Sequence, residues 1–187
     1  MSLMAKIQAV PEPEFSRPIE VDEIGTDGVE VEIAAEPPER EALARRFGLV
    51  GIAHLAATAT VKRISRRLFR VDGSFEADVV QTCVVTLEPF STRLAQPFSA
   101  SFGEAGPGLS ALVTGLEEDE QPEPIEGGVI DIGETVAQYL ALALDPYPRK
   151  PGASVPQEYG AGEGKGEGPS GNKPFAGLGS FKPSRGR

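Results

Sequence analysis

The sequence has no tryptophan, a single histidine (His54), a single cysteine (Cys83), and no apolar run of membrane-spanning length. Each scarcity excludes something. One cysteine cannot build an internal disulfide framework and fits a reducing compartment. A membrane helix needs about 20 consecutive apolar residues. The opening stretch Met1 to Phe15 holds one lysine and lacks the apolar segment of a secretory signal. The expected location is cytoplasmic, with no membrane partner.

The same scarcity leaves little for chemistry. His54 falls mid-strand among Ala and Thr with no nucleophile at a recognisable elbow, so a surface or structural role is expected. Cys83 lies in a β-rich region without a nearby base and is expected to be buried and inert. One Cys and one His cannot assemble a zinc site, and the acidic run Glu117, Glu118, Asp119, Glu120 lacks the glycine and spacing of a calcium loop. The tail glycines have no preceding strand and no Gly-Lys-Ser/Thr ending, so no phosphate loop is read there. No catalytic residue, no cofactor and no metal are expected, and the chain reads as non-enzymatic.

What is present is charge, unevenly placed. The net charge of −10 argues against general affinity for polyanions, DNA included. Residues 1–36 carry nine acids and two bases, and residues 104–145 carry ten acids and no base. By contrast, residues 37–103 hold nine bases against six acids.

The length of 187 residues allows one domain with tails. Phe15 to Val21 and Val29 to Ile33 read as short strands, the second with Val29, Val31 and Ile33 alternating with Glu30 and Glu32. The turn Gly25-Thr26-Asp27-Gly28 between them predicts a hairpin. Pro37 and Pro38 open a helix that Gly48 should stop. Period-2 runs from Ile52 to Phe102 predict three long strands, with Leu55, Val61, Phe75 and Phe98 among the inward positions. Residues 104–124 read as a mobile acidic loop. Asp131 caps a second helix whose apolar face runs through Ile132, Val136, Tyr139, Leu140, Ala143 and Leu144, and Asp145-Pro146 ends it.

The fold class expected is therefore α+β, an antiparallel meander or partly closed sheet packed by two helices. A flexible stretch 1–14 would precede the domain 15–150, and a Gly-rich tail 151–187 would be disordered. That tail carries Phe175, Leu178 and Phe181 as isolated apolar residues.

One cluster stands out as a binding surface. Lys62, Arg63, Arg66, Arg67 and Arg70 place five cations in nine residues with no acid among them. At a hairpin tip they would flank the turn, away from the core, and grip RNA phosphates or an acidic protein. The alternative is a solvated turn that guards the sheet against aggregation. Arg149 and Lys150 add two more candidate contacts, and the 117–120 acids could receive a cationic protein.

Three blocks resemble a known family. Gln81-Thr82-Cys83-Val84-Val85-Thr86-Leu87-Glu88-Pro89-Phe90 is similar to a sequence block of the YceD family of bacterial and plastid proteins. So is Gly128-Val129-Ile130-Asp131-Ile132-Gly133-Glu134 with its exit Leu144-Asp145-Pro146-Tyr147-Pro148-Arg149-Lys150. The third is Asn172-Lys173-Pro174-Phe175-Ala176 followed by Leu178. The resemblance implies a role in accumulation of the large-subunit ribosomal RNA, hence in ribosome assembly, with a precursor of that RNA or a ribosomal protein as partner. Many members carry a Cys-x-x-Cys pair in the first block and the family is sometimes called metal-binding. Here Thr86 stands at the second position, so no zinc is expected. The competing reading is a general protein-interaction module that uses the acidic loop and the apolar tail residues and makes no RNA contact.

Overall fold

A computed structural model describes residues 13–25, 27–104 and 122–154. The chain divides into two compact units, Met1–Ala153 and Ser154–Arg187, and the following concerns the first. The 105–121 part of the acidic loop, with Glu117 to Glu120, and the tail beyond Ser154 lie outside the described residues.

Three long strands carry the fold: β3 (Gly51–Ser65), β4 (Leu68–Thr82) and β5 (Pro89–Glu104), following β1 (Pro18–Glu20), β2 (Val29–Ala34) and helix α1 (Pro37–Phe47). Two short strands, β6 (Glu123–Ile125) and β7 (Val129–Asp131), precede helix α2 (Ile132–Ala143). One sheet has the order β2-β3-β4-β5-β6, antiparallel except for β5–β6, and a second pairs β1 with β7. The larger sheet is open. None of the helices is long and apolar enough to cross a membrane among the described residues.

The alternation that suggests strands also sorts the two faces. Leu55, Ala57, Ala59 and Val61 on β3, Phe69, Val71, Phe75, Ala77 and Val79 on β4, and Phe98, Ala100 and Phe102 on β5 are buried on one face. Fully burying a side chain such as Phe75 is worth roughly 2–3 kcal/mol. Gly73 completes the packing: a Cβ there would come 2.5 Å from the Thr58 carbonyl oxygen and 2.7 Å from the Phe98 ring. Its missing side chain lets Phe98 lie across β4 and meet Tyr139 of α2, ring centroids 5.3 Å apart.

The helix signals hold. Glu36 and Glu39 form a reciprocal capping box at α1, and Gly48 takes the left-handed conformation at its end. Asp131 caps α2 by accepting from the Glu134 amide at 3.2 Å. The same carboxylate accepts from the Ser16 hydroxyl at 2.6 Å and the Arg17 amide at 2.8 Å, which ties the N-terminal segment to the helix start.

Two expectations are corrected. β1 and β2 do not form a hairpin, because β1 pairs with β7 and β2 with β3. A short 3-10 turn (Val21–Glu23) carries the chain away from β1, and Arg63 donates to the Val21 carbonyl at 2.6 Å and the Ile24 carbonyl at 3.2 Å to hold it there. Second, Glu123–Ile125, read as loop, pairs in parallel with Phe102 to Glu104.

Candidate nucleic-acid interface

The β3–β4 connection is a turn at Arg66 and Arg67, and register places Lys62 opposite Arg70 and Arg63 opposite Phe69. An irregularity between Arg63 and Ser65 offsets the two strands near the tip. The five cations of the run are thereby sent in different directions. Lys62 and Arg66 are exposed and bond to no acid among the described residues. Arg67 is half-buried with a bonded neighbour. Arg70 is half-buried and donates to the Asp72 carboxylate and the Ser99 hydroxyl, both at 3.2 Å.

Arg63 requires correction. It does not flank the turn as a free cation: its guanidinium stacks 4.8 Å over the Phe69 ring and gives donors to the two carbonyls that fix the 3-10 turn. An arginine over an aromatic face with its donors satisfied holds structure together. The expectation that all five cations flank the turn, away from the core, fails at Arg63.

Arg149 and Lys150 are not brought to the tip. Lys150 pairs with Glu88 at 2.9 Å, beyond the far end of β4. With a rise of about 3.3 Å per residue, the length of β4 puts them roughly 45 Å from the tip. Two arginines whose roles the sequence did not reveal do more for the fold. Arg17 binds Glu39 through both nitrogens at 2.7 and 3.0 Å, and Arg46 binds Glu134 at 2.9 and 2.8 Å and Glu14 at 2.9 Å. The Arg17 bond holds the Glu39 carboxyl below its ordinary range. Arg46 had only the sequence signal of a cation in the last turn of α1, and Arg17, just ahead of β1, had none.

His54 is exposed on the outer face, opposite Asp78. Cys83 is buried as expected, and its thiol is lowered to about 6. Donation from the Thr86 side chain is the main cause, with backbone donors at Lys150, Thr86 and Val85 adding to it against the opposing effect of burial. The Val85 and Thr86 amides both lie 3.4 Å from Sγ. The burial is as expected, while the thiol is more acidic than a free cysteine's. The donor set does not fit a zinc ion, because Thr86 supplies a hydroxyl already bonded to sulfur and no cluster of three His, Cys, Asp or Glu occurs among the described residues.

The family model described as large ribosomal RNA subunit accumulation protein YceD matches residues 71–182, more than half of the chain. It takes in most of β4, the Cys83 turn and α2, and begins one residue after Arg70. No curated protein and no solved structure matches the chain.

Proposed function

The chain belongs to the YceD family, and from that premise we propose that it is a non-catalytic assembly factor that supports accumulation of the large-subunit ribosomal RNA, working in the cytoplasm and contacting the RNA precursor through the β3–β4 tip. The observation that carries the contact is the pair Lys62 and Arg66, exposed beside a turn and without an acidic partner among the described residues. Cations presented this way exchange counterions for phosphates, which supplies affinity without reading sequence. Arg70 stands opposite Lys62 but is held by Asp72 and Ser99, so the pair carries the contact.

The non-catalytic part rests on the two groups best able to do chemistry. Cys83 is sealed at 0% exposure with its sulfur bonded to its own turn. Among the described residues His54 makes no hydrogen bond to a nucleophile or a carboxylate, so no set of nucleophile, base and orienter is found there to support catalysis.

Cosedimentation of the tagged full chain with large-subunit precursors, with and without nuclease, tests the reading. Association that nuclease abolishes, and that Lys62→Ser with Arg66→Ser weakens, is expected. Association indifferent to nuclease would make the contact protein-directed. None at all would overturn the assembly role.

A further inference from the structure

The missing hairpin leaves two strand edges, on either side of one groove, without a partner strand among the described residues. Ala35 donates its amide to the Leu55 carbonyl at 2.9 Å, and the antiparallel register then puts Val29, Val31 and Ile33 on the bonded side of β2. The backbone groups of Glu30, Glu32 and Ala34 point away from the sheet. On β1, the bonds from Ile132 to the Arg17 carbonyl and from Val21 to the Gly128 carbonyl face β7. Pro18 and Glu20 therefore turn their backbone groups to the open side.

Between these edges lies a groove of about 440 Å³, its apolar lining including Ile19, Val31, Ile33 and Ile132. Arg17 closes one end by donating to the Ala34 carbonyl at 3.1 Å. Glu32 lines the groove, Glu30 shares its strand, Glu20 lies on β1, and Asp22 and Glu23 sit in the turn that follows; all five are exposed, and none forms an ion pair among the described residues. Such a set of acids repels a second copy of this edge and attracts a strand of opposite charge.

We propose that the groove between β1 and β2 receives an extended segment of another protein in which lysine or arginine alternates with apolar residues, added as a strand to the open edge of β2. The alternation follows from the pleat: one set of side chains meets Glu30 and Glu32, and the other meets the apolar lining. β2 spans six residues, enough to pair a segment of ordinary strand length. This assignment does not rest on the ribosomal reading and stands or falls separately from it.

The test uses the full chain and a labelled peptide of about six residues alternating Lys with Val or Ile, a composition-matched peptide with the alternation scrambled, and one with Glu for Lys. Fluorescence polarisation should show saturable binding of the first. The scrambled peptide and the Glu30→Lys/Glu32→Lys variant should each bind about tenfold weaker or less. Glu32→Pro removes an amide that faces the groove, leaving the β2–β3 bonds in place, and should weaken binding well beyond Glu32→Ala. Amide exchange at Glu30 and Glu32 should slow on binding while Val29 and Val31 hold steady. Overturning results are no saturable binding, equal binding of the scrambled peptide, equal effects of the two Glu32 variants, or unchanged exchange at Glu30 and Glu32. Each leaves at most a diffuse attraction of cations to an acidic surface.

Discussion

The β3–β4 tip and the β2 edge are neighbours, since Val29 pairs with Val61 one residue before Lys62, yet they use charge in opposite ways. At the tip, three of the five cations are already engaged: Arg63 with main-chain carbonyls and the Phe69 ring, Arg70 with Asp72 and Ser99, and Arg67 with a neighbour of its own. On the edge, Glu30 and Glu32, with Glu20, Asp22 and Glu23 before them in the chain, form no ion pair among the described residues. A dense run of like charge in sequence therefore overstated the tip, and a sparse alternation understated the edge. What a charge can bind depends on whether the fold has already used it.

The largest expected effect removes the platform that both regions share. Phe75→Ala should cost about 3–5 kcal/mol, read as the loss of free energy in urea unfolding. Both surfaces should fail together on warming. Retained stability would mean that the β4 inner face is not the core.

Within the tip, Arg63→Ser and Arg66→Ser should separate. The first strands two carbonyls and uncovers Phe69, and should destabilise by roughly 1–3 kcal/mol. The second changes a solvated side chain and should stay within about 0.5 kcal/mol. Equal unfolding midpoints would return Arg63 to the exposed set.

A smaller effect distinguishes the regions by salt. Lys62→Ser and Arg66→Ser should each lower the slope of log affinity for precursor RNA against log salt by close to one. Glu30→Gln with Glu32→Gln should instead strengthen RNA binding at low salt, by relieving repulsion beside the tip, and have little effect at high salt. A loss of RNA affinity in the acid variant would show that the edge helps to hold RNA.

The smallest effect lies at the far end of the hairpin, away from both. With the Cys83 thiol lowered to about 6 from its ordinary 9.0, the folded chain binds fewer protons than the unfolded chain between those values. The resulting stability is fully present above the unfolded value and fades as pH falls through about 6. Thr86→Val should move the thiolate absorbance titration upward, and an unmoved titration would deny the Thr86 hydroxyl its part.

Much of this was legible along the chain. Alternation at Leu55 to Val61 and Phe69 to Val79 fixes which residues face inward, because strand side chains have a period of two whatever the partner. The Asp131 cap and the Gly48 stop were legible for a similar reason, since both satisfy backbone groups within a turn of themselves. Local chemistry also carried the first family block, where Thr86 stands three residues after Cys83.

Pairing across distance was not legible. Nothing in residues 15–33 says that β1 will choose β7, more than a hundred residues away, over the β2 strand that a well-formed turn offers it. That choice depends on Asp131 receiving Ser16 and Arg17, and on Arg63 holding Val21 and Ile24, contacts that exist only once the sheet has assembled. The sequence by itself determined the long strands, the helices and their inward faces, since each follows from local periodicity and capping, while the short β6 needed its partner to appear. The tertiary structure alone decided which edges stay open and which charges stay free, because both are set by partners far away in the chain.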